Sequence, residues 1–384
     1  MGFISLREKE NSPEEGHGTM KIGILTHYNV YNQGTQLQMS ATRYWLEKHG
    51  HQVVILTYDK NFDFRDGAKA RNSGSFSSFP YYIRHYLLEK GLGLTWFNTC
   101  KVLAMNKSLK QYMFAPHNDS GCDAIIIGSD EVYSIDVGIN KMMYGHDLGG
   151  VPAIAYAPSF GIATLEKLEQ FGCTETVRTG LAKTRFLSAR DLHTQKMVET
   201  LTGREVPLVC DPVVLYSGGY NSNPKPIGKP YLAVYSYSRN MVDPDEIAAI
   251  RAYAKAHGLI TVSLGTYHGW CDKNVACTAE DWYGYFKDAA CVVTDTFHGS
   301  VVAMKNHCNV AVFIRESINA FKLRSLLKET GLEDRRLQKL TVENLESVLS
   351  KSIDYDAVDD WIDRMTKESE AYLLNALETV YAER

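Results

Sequence analysis

Short apolar runs alternate with amphipathic stretches along most of this chain. Residues 21–26 (KIGILT) have the length and β-branched content of a buried strand. Residues 34–48 carry Leu37, Ala41, Tyr44, Trp45 and Leu46 on or near one stripe, which predicts a helix ended by Gly50. Residues 52–58 (QVVILTY) form the next strand. Alternation resumes at 123–127 (DAIII), with further strands predicted at 152–157, 185–188 and 206–209. Each of these runs ends in small or polar residues. In an open parallel sheet such ends converge on one crevice.

Residues 217–229 (SGGYNSNPKPIGK) are rich in Gly, Pro, Asn and Ser and read as a linker. A second alternation follows, with strands predicted at 231–235, 259–264, 290–294 and 309–313. Helices are predicted at 244–257, 280–288, 318–329 and 342–350, and an amphipathic one at 355–382. The pattern predicts an α/β fold of two facing Rossmann-like domains. The N-terminal domain spans 20–216, with an irregular insertion at about 60–118; the C-terminal domain spans 230–353. A final helix, 354–384, is placed to pack back on the N-terminal domain. Within the insertion, 67–78 reads as loop, and 81–90 and 96–113 read as helices. Residues 1–19 are charged, lack an apolar core, and are expected to be a disordered extension.

Composition narrows the function classes. The 384 residues are 45% hydrophobic and 22% charged, ordinary for a soluble globular protein. A net charge of -4 and no basic stripe argue against nucleic-acid binding. The eight cysteines are scattered, several in or beside apolar runs, which suits free thiols. They make no metal spacing with His27, His117, His146 or His268, so no metal is expected. No apolar run approaches the ~18 residues of a membrane span. The expected location is the cytoplasm. Contact with the inner face of the membrane stays open, because some carbohydrate enzymes take lipid-linked acceptors.

The most informative segment is Thr294-Asp295-Thr296-Phe297-His298-Gly299-Ser300, between a predicted strand and a helix-like run. A helix N-terminus offers free N–H groups to an anion, and a histidine moves protons near neutral pH. Together they fit chemistry on a phosphorylated donor. His298 is the candidate proton donor. Asp295 either orients it or caps the helix, and Thr296, Gly299 and Ser300 supply donors around it. Arg190, at a strand end, either grips an anion with its planar fork or pairs with Asp191 or another nearby acid. Asn32 and Gly34 flank a helix start, where Gly34 allows backbone to approach a ligand and Asn32 can cap. Gly128, Ser129 and Asp130, with Glu131, form a polar cluster after a buried strand. Asp130 is the candidate base for a hydroxyl, or a helix cap. Ser159 adds a hydroxyl to the same crevice. Asp211-Pro212 reads mainly as a structural turn.

The segments KIGILTHYNVYNQGTQLQ, DAIIIGSDEVYS, LSARD, VCDPVVL and VVTDTFHGS occur in this order over roughly residues 20–335. Together they resemble the polysaccharide pyruvyl transferase family. That resemblance implies a fold like the two-domain GT-B glycosyltransferases. It also implies transfer of pyruvate from phosphoenolpyruvate to a sugar, usually as a cyclic ketal, in surface (exo)polysaccharide biosynthesis. The implied partners are the small donor and a sugar or lipid-linked sugar acceptor, with no redox cofactor. The chain departs from the family pattern in four places. Asn32-Gln33-Gly34-Thr35 stands where Asn-Tyr-Gly-Ala is common, Tyr133 replaces Trp, Thr296 replaces Ser, and Lys322 replaces an Arg. A lysine in that place weakens bidentate carboxylate recognition. Two other functions fit the same architecture: a nucleotide-sugar glycosyltransferase, or a non-catalytic sugar-binding relative.

Overall fold

The computed structural model describes residues 18–59, 91–138, 140–216, 218–315 and 320–384. The expected extension up to residue 17, the loop at 67–78 and the helix at 81–90 lie outside the described residues. So do the first two residues of the helix expected at 318–329.

Among the described residues, eleven strands form two sheets. The first holds β1 (Lys21–Leu25), β2 (Gln52–Thr57), β3 (Phe114–Pro116), β4 (Ala124–Ile127) and β5 (Ala153–Ala155). The second holds β6 (Tyr231–Tyr235), β7 (Ile260–Leu264), β8 (Lys273–Val275), β9 (Cys291–Thr294), β10 (Val310–Phe313) and β11 (Arg336–Leu337). The strand orders are β3-β2-β1-β4-β5 and β11-β10-β9-β6-β7-β8. All pairings are parallel. Both sheets are therefore doubly wound, with the order reversing between β1 and β4 in one and between β6 and β9 in the other. Ligands bind at such switch points, outside the carboxyl ends of the strands.

The first sheet is accompanied by α1 (Gln33–Lys48), α2 (Gly91–Leu109), α3 (Leu165–Gln170), α4 (Thr174–Lys183), α5 (Leu192–Thr202) and α6 (Pro212–Leu215). The second is accompanied by α7 (Pro244–Ala256), α8 (Ala279–Lys287), α9 (Phe297–Lys305), α10 (Ala320–Glu329) and α11 (Val342–Leu349). The last helix, α12 (Tyr355–Ala382), returns to the first half: Tyr372 Oη donates to the Ala155 carbonyl at 2.9 Å. Ser369 Oγ accepts from the Cys210 N–H at 2.8 Å.

The core strands are mostly apolar and largely buried because helices cover both faces of a parallel sheet. One continuous core joins the halves, from Ile22, Leu37 and Trp45 through Tyr235 and Trp282 to Val301 and Leu373. Separate cores fill the far face of each sheet.

Two sequence expectations are corrected. The strands expected at 185–188 and 206–209 reduce to single parallel bridges, Ile154 with Phe186 and Ala189 with Leu208. These runs are too short and too interrupted by polar residues to extend a ladder. Conversely, β3 and β8 were not legible in the sequence, since three-residue edge strands carry no periodicity to read. Residues 218–229 form no regular element and are tied to α8, with the Lys225 N–H donating to Tyr285 Oη at 3.0 Å.

Candidate active site

Four helices begin beside the cleft, each with a side-chain cap. Asn32 accepts from the Thr35 N–H, Asp191 from Thr194, Asp211 from Val213 and Thr296 from Gly299. Satisfying free N–H groups in this way fixes each helix start. The two switch points meet where α9, from the second half, bears on α1. A Cβ added at Gly34 would lie 2.5 Å from His298 Nδ1. The imidazole therefore leaves no room for a side chain at Gly34.

Asp211 is the centre of the site. Its Oδ2 lies 2.9 Å from Arg190 Nη1 and 3.4 Å from His298 Nε2. Ser129 Oγ reaches the same oxygen at 3.4 Å. The histidine contact is within ionic reach but not aligned as a hydrogen bond, so His298 Nε2 keeps its hydrogen-bonding capacity. Arg190 Nη1 also lies 3.7 Å from Asp130, and its guanidinium covers the Phe297 ring at 5.4 Å. Asp130 in turn accepts from Thr35 Oγ1 at 2.7 Å.

These contacts set the charge states. Burial pushes the Asp211 carboxyl up, but His298 and Arg190 outweigh it and leave it well below the ordinary range. Asp130 follows the same logic, with His298, Arg190 and His27 overcoming burial. Arg190 is held above its usual value because Asp211 and Asp130 outweigh its desolvation. Asp130 also sits at φ +73°, in the left-handed region that non-glycine residues rarely adopt. Such backbone clusters at functional sites.

The structure divides the sequence candidates. His298, Arg190 and Asp130 come together around Asp211. Lys322 Nζ pairs with Glu131 at 2.8 Å and touches Ser159 Oγ at 3.3 Å, bridging the halves. Ser159 is wholly buried and donates to Asp191 at 2.7 Å. Gly128 has no room for a Cβ against the Tyr156 carbonyl and holds φ +118°. Ser129 is wholly buried and donates to the Ala157 carbonyl at 2.9 Å. Ser300 is wholly buried and donates to the Thr296 carbonyl at 2.9 Å, one turn back along its own helix. Gly299 packs against Thr294, Thr296 and Tyr235. Gly128, Ser129, Gly299 and Ser300 thus pack into the walls of the cleft, with the two serine hydroxyls bonded to protein carbonyls. Asn32 serves α1 as a cap.

The reading of Asp295 as the group that orients His298 is also corrected. Its Oδ2 accepts from Asn240 Nδ2 at 2.7 Å, and its buried Oδ1 has no partner among the described residues. Burial raises its carboxyl above the ordinary value. Sequence reading missed Asp211 as the hub, although its strand-end position was the same signal used for its neighbours. It also missed His27, whose Nδ1 lies 3.1 Å from Tyr58 Oη and whose charge acts on Asp130.

Next to this cluster is a cavity of about 290 Å³, lined by Tyr237, Arg239, Asn240, Asp295, Thr296 and Lys322 among others. It lies at the small end of ligand pockets, which run to ~300–1,000 Å³. Arg239 has no carboxylate partner among the described residues.

A family model described as polysaccharide pyruvyl transferase matches residues 32–317. No curated protein matches the chain. Among solved structures, the chain resembles Arabidopsis thaliana UGT89C1 complexed with UDP-L-rhamnose. The identity is 12%, the TM-score 0.51, and the match covers 94% of this chain and 99% of that one. The glycosyltransferase SnogD from Streptomyces nogalater matches at 14% identity and TM-score 0.43, covering 94% of this chain and 100% of that one. At such identities the first likeness is one of fold, and the fold is of the GT-B type.

Proposed function

The chain belongs to the polysaccharide pyruvyl transferase family, and on that premise we propose that it transfers pyruvate from phosphoenolpyruvate to a pair of sugar hydroxyls. The observation that carries this reading is the shared carboxylate of Asp211, with Arg190 at 2.9 Å and His298 at 3.4 Å. It couples an anion-binding group from one half to a proton-transfer group from the other.

Phosphoenolpyruvate carries a phosphate and a carboxylate, so cations must meet both. Arg239 and the paired Lys322 line the small cavity, and Arg190 lies behind Phe297 at its edge. The cavity suits a three-carbon donor better than a nucleotide sugar. In the proposed step the donor's double bond takes a proton from His298 at the methylene carbon. A sugar hydroxyl adds to the central carbon and its proton passes to Asp130, which is ionised at neutral pH. A second hydroxyl then displaces phosphate and closes the ketal. The two hydroxyl protons balance the one left on the new methyl group and the one carried off by phosphate. The donor carries its own activation, so this chemistry calls for no redox cofactor.

The test is release of inorganic phosphate from phosphoenolpyruvate with a panel of sugar acceptors, with a new ketal methyl signal followed by NMR. Thermal shifts with uridine or guanosine diphosphate, and none with phosphoenolpyruvate, would favour a nucleotide-sugar transferase instead. Among the described residues no helix is long and apolar enough to cross a membrane.

A further inference from the structure

Beside the cleft lies a second pocket of about 640 Å³, walled by α2 from the first half and by β8 and the start of α8 from the second. Its lining is unlike that of the donor cavity. Trp96, Phe97, Tyr267 and Tyr285 supply aromatic faces, with the Phe97 and Tyr267 rings 5.6 Å apart. Lys107, Lys225 and Lys273 line the same space. Among the described residues none of these three ammonium groups has a carboxylate partner. Asp281 is the acid in the wall, and its Oδ1 is already engaged by the Asn223 N–H at 2.8 Å.

The positive excess is written into the sequence. Residues 91–118 contain no Asp or Glu and carry Lys101, Lys107 and Lys110, in a chain with 45 acidic residues. On a protein of net charge -4, such a patch concentrates anions locally. Aromatic walls with a few placed polar groups are the usual lining of a small-molecule site.

The pocket also adjoins the chemistry. The Cys277 carbonyl, in its wall, accepts from Gln33 Nε2 at 3.4 Å. Gln33 is wholly buried, and its Oε1 has no partner among the described residues. The next residue, Gly34, lies against His298. The first turn of α1 thus ties the pocket wall, through the Cys277 carbonyl, to the cleft.

We propose that this pocket holds the anionic part of the acceptor: a sugar bearing a phosphate or a carboxylate, stacked on the aromatic faces with its charge against Lys107, Lys225 and Lys273. The word acceptor rests on the transfer reading above; the preference for an anionic sugar rests on the pocket itself. The two are separated by measuring sugar binding without donor, and donor binding without sugar.

Calorimetry with glucose 1-phosphate, methyl glucuronide and methyl glucoside is the experiment. At least one of the two anionic sugars binds about tenfold or more tighter than the neutral glucoside, and added salt weakens it. Whichever anion binds identifies the source of the charge. The triple variant Lys107→Gln, Lys225→Gln, Lys273→Gln loses this preference while binding phosphoenolpyruvate as the wild type does. These side chains are exposed, so the fold does not depend on them. Trp96→Ala lowers affinity for the charged sugar without removing the salt dependence. Equal binding of all three sugars, binding of none, or a triple variant that keeps the preference overturns the proposal. A wild type that prefers anionic sugars but binds no phosphoenolpyruvate overturns the transfer reading and supports this one.

Discussion

Asp130, after β4, and Asp211, at the start of α6, are held below the ordinary carboxylate range. Asp295, at the matching strand end of the second half, is pushed above it. Burial acts on all three in the same direction. The difference is the company: Arg190 and His298 face the first pair, whereas Asp295 is bonded to the neutral Asn240. Similar positions at similar switch points thus acquire opposite electrostatics, because Arg190 and His298 lie in ion-pair reach of the first two carboxylates, whereas the pull of Arg315 on Asp295 does not offset its burial. In the proposed reaction the first half keeps the fixed carboxylates and the second supplies the proton from His298.

The sharpest way to break this comparison is to remove the proton carrier. His298→Ala is expected to lower ketal formation by ~10²–10⁴-fold, the usual worth of positioned acid–base catalysis. A variant with full activity would end the mechanism. Next, Arg190→Met leaves Asp211 buried beside a lost partner. Removing one member of a buried pair costs ~3–5 kcal/mol, which a urea titration would register. Asn240→Ala, beside Asp295, should cost far less, since that pair is a single neutral-donor bond.

Gly34→Ala tests the contact between the halves. Its methyl would meet the His298 ring at 2.5 Å, so the imidazole must move. A displacement near 1 Å costs up to ~10²-fold in rate, and binding of phosphoenolpyruvate should change much less than turnover. An unchanged rate would show that the two halves do not bear on one another in this way during catalysis.

The smallest effects are in pH dependence, and they differ in sign. The folded-state pKa of Asp211 lies below its unfolded value of ~3.9, so its stabilisation is complete above that pH. It is lost as pH falls through the folded value. Asp211→Asn should therefore lower stability at pH 7 and flatten the acid limb of the stability curve. Asp295 is raised, so its ionisation opposes folding once pH exceeds the unfolded pKa. Asp295→Asn should raise Tm slightly at pH 7, and the gain should vanish at the acid end. Equal slopes in the two variants would remove the contrast between the halves.

Much of this was legible in the sequence. The runs that became β1, β2, β4, β6, β7, β9 and β10 are mostly apolar, because a strand covered on both faces buries nearly every side chain. The strand–turn–helix context of His298 placed it at the carboxyl end of β9, and that of Arg190 placed it just after a run that pairs only through isolated bridges. Local hydrogen-bonding habit also marked Asn32 as a helix cap, whereas the caps Asp191 and Thr296 emerged only from the structure. The legible features depend on neighbours within a few residues, so the linear order determines them.

Tertiary structure decided the rest. Asp211 looked like a turn residue because its partners, Arg190, Ser129 and His298, lie on three other elements. The space beside Gly34 is filled by the imidazole of a distant helix. Whether a carboxylate is held down or pushed up depends on which charges sit within a few ångströms. That distance is set by how the two sheets dock, and no stretch of either half encodes it alone.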